Sequence, residues 1–295
     1  MTLLDRTISG KIQAPISVLL YGKEGVGKST WASEAPSPYF IDVENGTKRL
    51  NVNRFVPKNF SEIIGIIREI RDEKHDFKTL VVDTVDATER LIWEEVCRAN
   101  NWKNIEEPGY GKGYAVALKE WVNLKDLILE TAHVKNMNLI ILAHYEVKTF
   151  QDPYLNQGWD KYQIKLNQKA AALWRENVES VMFAATEVFT KKDGQKTRAY
   201  GDGARVCFTL GRPSFDAKNR YGLPFQLPLS WESFIDAVQS GDGDSVAAIK
   251  DRIGSLISQV RDESVKKKAE ESTKTEDITM LKKIENRLLV LTQQC

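Results

Sequence analysis

Gly22-Lys23-Glu24-Gly25-Val26-Gly27-Lys28-Ser29 stands directly behind an apolar run, Ile16 to Tyr21, and directly ahead of a helical pattern, Ser29–Ala35. The pattern GxxxxGK[ST] has about 0.01 expected chance matches in a chain of this length at average composition. It restricts the fold more than any other segment, because such a loop works between a buried strand and a helix. Its glycines let successive backbone N–H groups face phosphates. Lys28 is expected to neutralise β- and γ-phosphate charge from an exposed loop, and Ser29 to offer its hydroxyl to Mg²⁺. The expected ligands are therefore ATP and Mg²⁺, held by Gly22, Lys23, Glu24, Gly25, Val26, Gly27, Lys28, Ser29 and Thr30.

Further apolar runs of strand length follow at Tyr39–Val43, Thr79–Val82, Asn138–Ala143 and Val178–Ala184. Helical periodicity fills the gaps at Phe60–Asp72, Asp86–Ala99, Tyr114–His133 and Leu166–Glu176. Strands without polar alternation are buried on both faces, and their alternation with helices predicts parallel crossovers. After Val178 the pattern changes. Val178–Thr190, Thr197–Tyr200 and Val206–Leu210 read as successive strands, with a turn at Lys192-Asp193-Gly194 and a break at Gly201–Gly203, so an antiparallel meander is expected beside the parallel sheet. Gln239–Asp244 reads as a linker, and Val246–Val260 and Ile278–Leu291 as helices flanking a charged run, Arg261–Asp277. The expected fold is α/β. Residues 1–238 would form a P-loop NTPase core, mostly parallel with helices on both faces, and residues 239–295 a linker and C-terminal helical appendage.

A nucleotide-hydrolysing site also needs a Mg²⁺-linked carboxylate at the end of a buried strand. Thr79-Leu80-Val81-Val82-Asp83 supplies Asp83, so Ser29 and Asp83 are the expected metal ligands. Many such enzymes place the water-activating glutamate directly after this aspartate, where this chain has Thr84. Phe40-Ile41-Asp42-Val43-Glu44 offers a substitute, because Glu44 lies just past the C-terminal end of its strand, the edge where open α/β sheets bind ligands.

Lys and Arg total 42 against 41 Asp and Glu, so no global field draws the chain to nucleic acid and any such contact must come from local patches. Cys97, Cys207 and Cys295 form no CxxC pair, which fits a reducing cytoplasm. No apolar stretch approaches the roughly 20 residues of a membrane span, and no basic-then-apolar leader opens the chain, so a cytoplasmic location without a membrane partner is expected.

Several of these segments resemble RecA. Phe40–Asn45 (FIDVEN) resembles the strand carrying its catalytic glutamate, Leu80–Thr84 (LVVDT) its Walker B strand, and Asn138–His144 the strand ending in its γ-phosphate sensor. Asp216–Arg220, followed by Pro224 and Phe225, resembles the basic segment that reaches ATP on the neighbouring subunit. The order agrees over roughly residues 12–235. The GTKRL after Glu44, GYGKGY at Gly109–Tyr114 and AKNRYGLP at Ala217–Pro224 are most similar to the small phage-encoded RecA-like ATPases that act as single-strand annealing recombinases.

That resemblance implies a RecA-like core in which Glu44 activates water, Lys28 compensates phosphate charge, His144 replaces the usual glutamine sensor, and Lys218 and Arg220 act on a neighbour's ATP. It implies an ATPase of a phage-infected host, working on single-stranded DNA as an oligomer with ATP at its subunit interfaces, with a single-strand-binding protein as a further partner. Two loops would face the DNA. Asn104–Tyr114 carries Tyr110, Lys112 and Tyr114, and Glu146–Gln168 carries Phe150, Trp159, Lys161, Tyr162 and Lys165. Aromatics interleaved with lysines suit base stacking with phosphate neutralisation. The competing function is a P-loop switch or assembly ATPase that acts on a protein partner and never touches DNA. A small-molecule kinase is disfavoured, because no arginine-rich lid follows the Walker B strand.

Overall fold

Alternate residues of the first strand, β1 (Ser17–Gly22), feed two separate cores, with Leu19 and Tyr21 in one and Val18 and Leu20 in the other. That is why the run carries no polar alternation. The computed structural model describes residues 6–7, 9–10, 14–152, 157–187, 189–193, 196–200, 203–240, 246–260, 262–275 and 277–293.

After β1 come α1 (Lys28–Ser33), β2 (Pro38–Asp42), β3 (Asn53–Phe55), α2 (Phe60–Asp72), β4 (Thr79–Asp83), α3 (Val85–Asn100), α4 (Lys112–Val134), β5 (Asn138–Gln151) and β6 (Gly158–Ile164). The chain continues through α5 (Gln168–Asn177), β7 (Ser180–Thr186), β8 (Phe189–Asp193), β9 (Lys196–Tyr200), β10 (Arg205–Phe208), β11 (Lys218–Asn219), β12 (Gln226–Pro228) and α6 (Trp231–Ser240). Three further helices follow, α7 (Val246–Gln259), α8 (Glu263–Ser272) and α9 (Ile278–Gln293).

The sheet runs β12-β10-β7-β1-β5-β4-β2-β3. From β7 to β3 neighbouring strands are parallel, and β10 and β12 add an antiparallel edge. The α/β class with a mostly parallel sheet and helices on both faces is therefore as expected. One face packs α2 to α5 around Ile63, Ile67, Trp121, Leu124 and Trp174, and the other packs α1 and α6 through Trp31, Trp231 and Phe234. Helix α2 shows the local logic. Asn59 caps it by accepting the Glu62 N–H, Glu62 reaches back to the Lys58 N–H, and Phe60, Ile63, Ile67 and Ile70 are its buried stripe.

Two expectations are revised. The meander is not continuous, since β8 and β9 form their own ribbon and β10 pairs directly with β7. Gly194 and Gly201 of the expected turn and break lie outside the described residues. The segment Glu146–Gln168 is not an open loop either. Strand β5 runs on past the parallel sheet and folds back on β6 as an antiparallel hairpin, with Phe150 opposite Trp159 and Lys148 opposite Lys161. Beyond Ser240, Ile253, Leu256, Leu281 and Leu288 make a small core of their own around a buried Arg252–Glu285 pair at 2.5 Å. Glu263–Ser272, inside the charged run Arg261–Asp277, is a helix capped by Asp262. Cys207 is buried, which pushes its thiol up to about 12, Cys97 is half-buried, and Cys295 lies outside the described residues. No helix among the described residues is long and apolar enough to cross a membrane.

Candidate active site

The phosphate loop leaves β1 at Gly22, and neighbouring β7 demands that glycine. A Cβ there would lie 3.0 Å from Ala184 Cβ and collide with the Ala184 carbonyl. Gly27, by contrast, has φ of 109°, a conformation L side chains rarely adopt. Lys28 turns back into the loop, its Nζ donating to the carbonyls of Gly22 at 3.1 Å and Lys23 at 3.0 Å. It is buried, not on an exposed loop as read from sequence. Burial lowers the ammonium's pKa, opposed by the charges of Asp83, Asp86, Glu44 and Glu24.

Ser29 Oγ donates to Asp83 Oδ2 at 2.6 Å, joining the start of α1 to the end of β4. Burial raises the Asp83 carboxyl to about 6, the Ser29 bond and Lys28 work against it, and Asp42 and Glu44 add to it. A buried carboxylate touching a hydroxyl, with excess negative charge around it, is a hard oxygen donor set that fits Mg²⁺.

Strands β2 and β4 pair with Asp42 opposite Asp83, and the Val43 and Glu44 N–H groups both donate to the Asp83 carbonyl, at 2.8 and 3.4 Å. Buried Asp42 then fixes the next turn by accepting the N–H groups of Gly46 and Thr47 and the Thr47 hydroxyl at 2.6 Å. This turn carries Glu44 and Arg49 to the edge of the sheet. Thr84 replaces the glutamate often found after the Walker B aspartate, and its hydroxyl donates to Glu44 Oε1 at 3.1 Å while accepting the Ala87 N–H as the cap of α3.

His144 ends the parallel part of β5, level with Gly22. Its backbone N–H donates to Asp86 Oδ1, its Nδ1 lies 2.9 Å from Asp86 Oδ2, and Glu44 Oε1 is 3.6 Å from the same nitrogen. Burial works against the Asp86 charge, but the His144 bonds hold its carboxyl below the usual range. With Nδ1 engaged by a carboxylate, Nε2 is the nitrogen left to a ligand.

These groups share one cavity of about 910 Å³, lined by Glu24, Lys28, Ser29, Glu44, Asp83 and His144 together with Arg49 and Arg205. A second cavity of about 520 Å³ shares Glu24, Glu44 and His144, and Arg90, Trp93, Tyr114, Lys148 and Lys165 also line it. Glu89 lines it too; its carboxylate accepts the Asn167 N–H, and burial raises it to about 7. Sequence reading missed Arg49, Asp86, Glu89 and Arg205. For Asp86 and Glu89 the signal was position alone, since both stand in the first turns of α3 directly behind the strand that ends at Asp83, although an acidic first turn is also ordinary helix chemistry. Arg49 stood within GTKRL, a segment singled out without a role for this residue, and Arg205 carried no signal.

Lys218 and Arg220 stand elsewhere. Strand β11 pairs with Val181 and Ser180 at the start of β7, the opposite end of that strand from this chain's own phosphate loop. Lys218 Nζ donates to the carbonyls of Arg175, Glu176 and Val178, at 2.9, 3.1 and 2.6 Å, which caps the end of α5. Arg220 is 3.2 Å from Glu179 and more open to solvent.

The expected DNA residues divide into two sets. Tyr110 is fully exposed with a φ of 49°, Lys112 opens α4 exposed, and Tyr114 and Lys165 line the second cavity. The hairpin residues lean on the protein instead. Phe150 and Trp159 pack ring to ring, Trp159 Nε1 donates to the Pro213 carbonyl, Lys161 pairs with Asp216 at 2.7 Å, and Tyr162 stacks on Phe183. Phe150 and Tyr162 each keep 37% of their surface exposed, so neither is spent wholly on packing.

A family model described as an AAA domain matches residues 14–221, the span that holds every group of this cavity. No curated protein sequence matches the chain. Among solved structures, the crystal structure of the RadB recombinase is similar, at 18% identity and a TM-score of 0.40 over 66% of this chain and 80% of that one. A likeness of that degree assigns no residue a role.

Proposed function

The chain belongs to the AAA-domain family of P-loop ATPases, and on that premise we propose that it is a Mg²⁺-dependent ATPase, stimulated by single-stranded DNA, that promotes annealing or strand pairing as a RecA-like oligomer. The observation that carries the reading is the wall shared by the two cavities. Glu44 and His144 border both the cavity around Lys28 and Ser29 and the one where Arg90, Lys148, Lys165 and Tyr114 stand among the carboxylates of Asp86, Glu89 and Glu146, the last paired with Lys148 at 2.7 Å. A polynucleotide on the second wall would therefore meet the groups that govern hydrolysis on the first.

In this reading Glu44 takes the proton of the attacking water, and the Thr84 hydroxyl fixes which carboxylate oxygen faces the water. Lys28 and Arg49 compensate phosphate charge. Ser29 and Asp83 would hold Mg²⁺, which supplies charge neutralisation across the phosphates when bound. Asp86 orients His144 so that Nε2 senses the terminal phosphate. Arg220, with Lys218 behind it, reaches a neighbouring subunit's ATP. The DNA side comprises Tyr110, Lys112, Tyr114 and Lys165, with Phe150, Trp159, Lys161 and Tyr162 along the hairpin. A phage host and a single-strand-binding partner belong to the same reading.

ATP turnover with and without single-stranded oligonucleotides tests it, alongside shift assays over a range of salt. Stimulation by single strands and salt-sensitive binding are the expected results, and absence of binding at low salt would remove the DNA half. One observation favours the switch reading, in which a protein partner replaces DNA. Lys161 and Trp159, central to the expected DNA segment, already have Asp216 and Pro213 as partners.

A further inference from the structure

Sheet order gives the nucleotide cavity two unlike ends. His144 on β5, Asp83 on β4 and Glu44 beyond β2 all lie on one side of β1, while Arg205 reaches the same cavity from β10, on the other side. Register places it accurately. Gly22 is opposite Ala184 on β7, and Arg205 is opposite Thr186, two residues further out past the sheet edge. Its backbone carbonyl is tied down by the Leu229 N–H at 2.9 Å. Its Nη1 lies over the phosphate loop, 3.0 Å from where a Cβ on Gly27 would stand. Among the described residues no acceptor engages this guanidinium.

We infer that Arg205 is a nucleotide-binding residue, contacting the α- and β-phosphates of a nucleoside di- or triphosphate from the side opposite the attacking water. The inference rests on the ATPase reading above and adds the polarity of the bound nucleotide. With the terminal phosphate toward Glu44 and His144, the inner phosphates and nucleoside must extend the other way, toward β7 and β10. A guanidinium lying over the Gly27 backbone meets them there, and its planar fork of donors matches phosphate oxygens. A cation placed here holds ADP as well as ATP, so it supports binding equally before and after hydrolysis. It lowers KM and leaves kcat unchanged. Gly27 acquires a second reason to be glycine, because any side chain would displace the guanidinium.

The test measures binding of Mg·ADP and Mg·ATP by titration calorimetry to the full chain, with steady-state kcat and KM. Arg205→Ala and Arg205→Gln should both weaken ADP and ATP by about tenfold, the loss of one charge-assisted contact, with kcat within about twofold of the parent. The glutamine variant keeps the side-chain bulk over Gly27, so agreement between the two excludes a folding effect. Unchanged ADP affinity overturns the inference, and so does a loss confined to kcat, which would place the guanidinium at the terminal phosphate. If the parent protein binds neither nucleotide, the ATPase reading itself falls. Normal parent binding with unaffected Arg205 variants sinks this inference alone.

Discussion

The Thr84 hydroxyl donates to Glu44 Oε1 across 3.1 Å, linking the residue after the Walker B aspartate to the carboxylate beyond the adjacent strand. Where other P-loop enzymes carry a glutamate after that aspartate, this chain keeps a hydroxyl that positions a glutamate from the next strand. Glu44→Gln should therefore bind ATP normally and lose about 10²–10⁴-fold in turnover. Thr84→Ala should lose less, because the base survives without its orienting bond. Single-turnover hydrolysis checks both, and normal turnover in Glu44→Gln would take the base away from Glu44.

Lys28→Ala should abolish turnover by removing the charge that faces the phosphates. Its Nζ also holds the Gly22 and Lys23 carbonyls, so a modest fall in melting temperature should accompany the loss. A folded Lys28→Ala protein that still hydrolyses ATP would contradict the site assignment.

Lys218 and Arg220 should separate in their effects. Lys218→Ala leaves three carbonyls at the end of α5 without their cation and should cost about 1–2 kcal/mol of stability, visible as a lower melting temperature. Arg220→Ala should leave stability nearly unchanged and reduce turnover. Mixing Arg220→Ala with Lys28→Ala should restore part of the activity, since a hybrid interface pairs an intact loop with an intact arginine. Verified mixed oligomers without rescue would exclude action between subunits.

Salt dependence distinguishes the lysines. Lys165 is exposed on the second cavity, whereas Lys161 is held by Asp216. Lys165→Ala should lower the slope of log K against log salt for single-stranded DNA by about 0.7, the value for one phosphate contact. Lys161→Ala should lower it less, and Trp159→Ala should weaken binding by about 1–3 kcal/mol with the slope unchanged. Equal slopes in the parent and the Lys165 variant would remove this face from the DNA path.

Glu89 sets a pH dependence of stability. Burial raises its carboxyl to about 7 in the folded protein, against about 4.3 in an unfolded chain. Between those values the folded state binds more protons than the unfolded state, so stability falls as pH rises through the window and stays lower above it. Glu89→Gln removes that titration, and the gap in melting temperature between pH 5 and pH 8 should narrow. An unchanged gap would show that Glu89 ionises as freely folded as unfolded.

The sequence alone determined the parts of this protein that depend on local chemistry. The glycine spacing after an apolar run fixed the phosphate loop, the ending of TLVVD at Asp83 fixed the carboxylate that meets Ser29, and uninterrupted apolar strands alternating with helices fixed a doubly covered, mostly parallel sheet. Each is a short-range pattern whose physical demand, a turn or a stripe buried on both faces, is written in neighbouring residues. Tertiary structure decided what lies far apart in the chain. Gly22 is required by Ala184, Thr84 serves Glu44, Asp86 holds His144, and Arg205 meets the loop around Gly27. It also turned the expected DNA loop into a hairpin and gave Lys218 a helix end to cap. Pairings of this kind arise from strand order and register, which set who meets at the sheet edge. Neither is encoded in the spacing of the residues that meet.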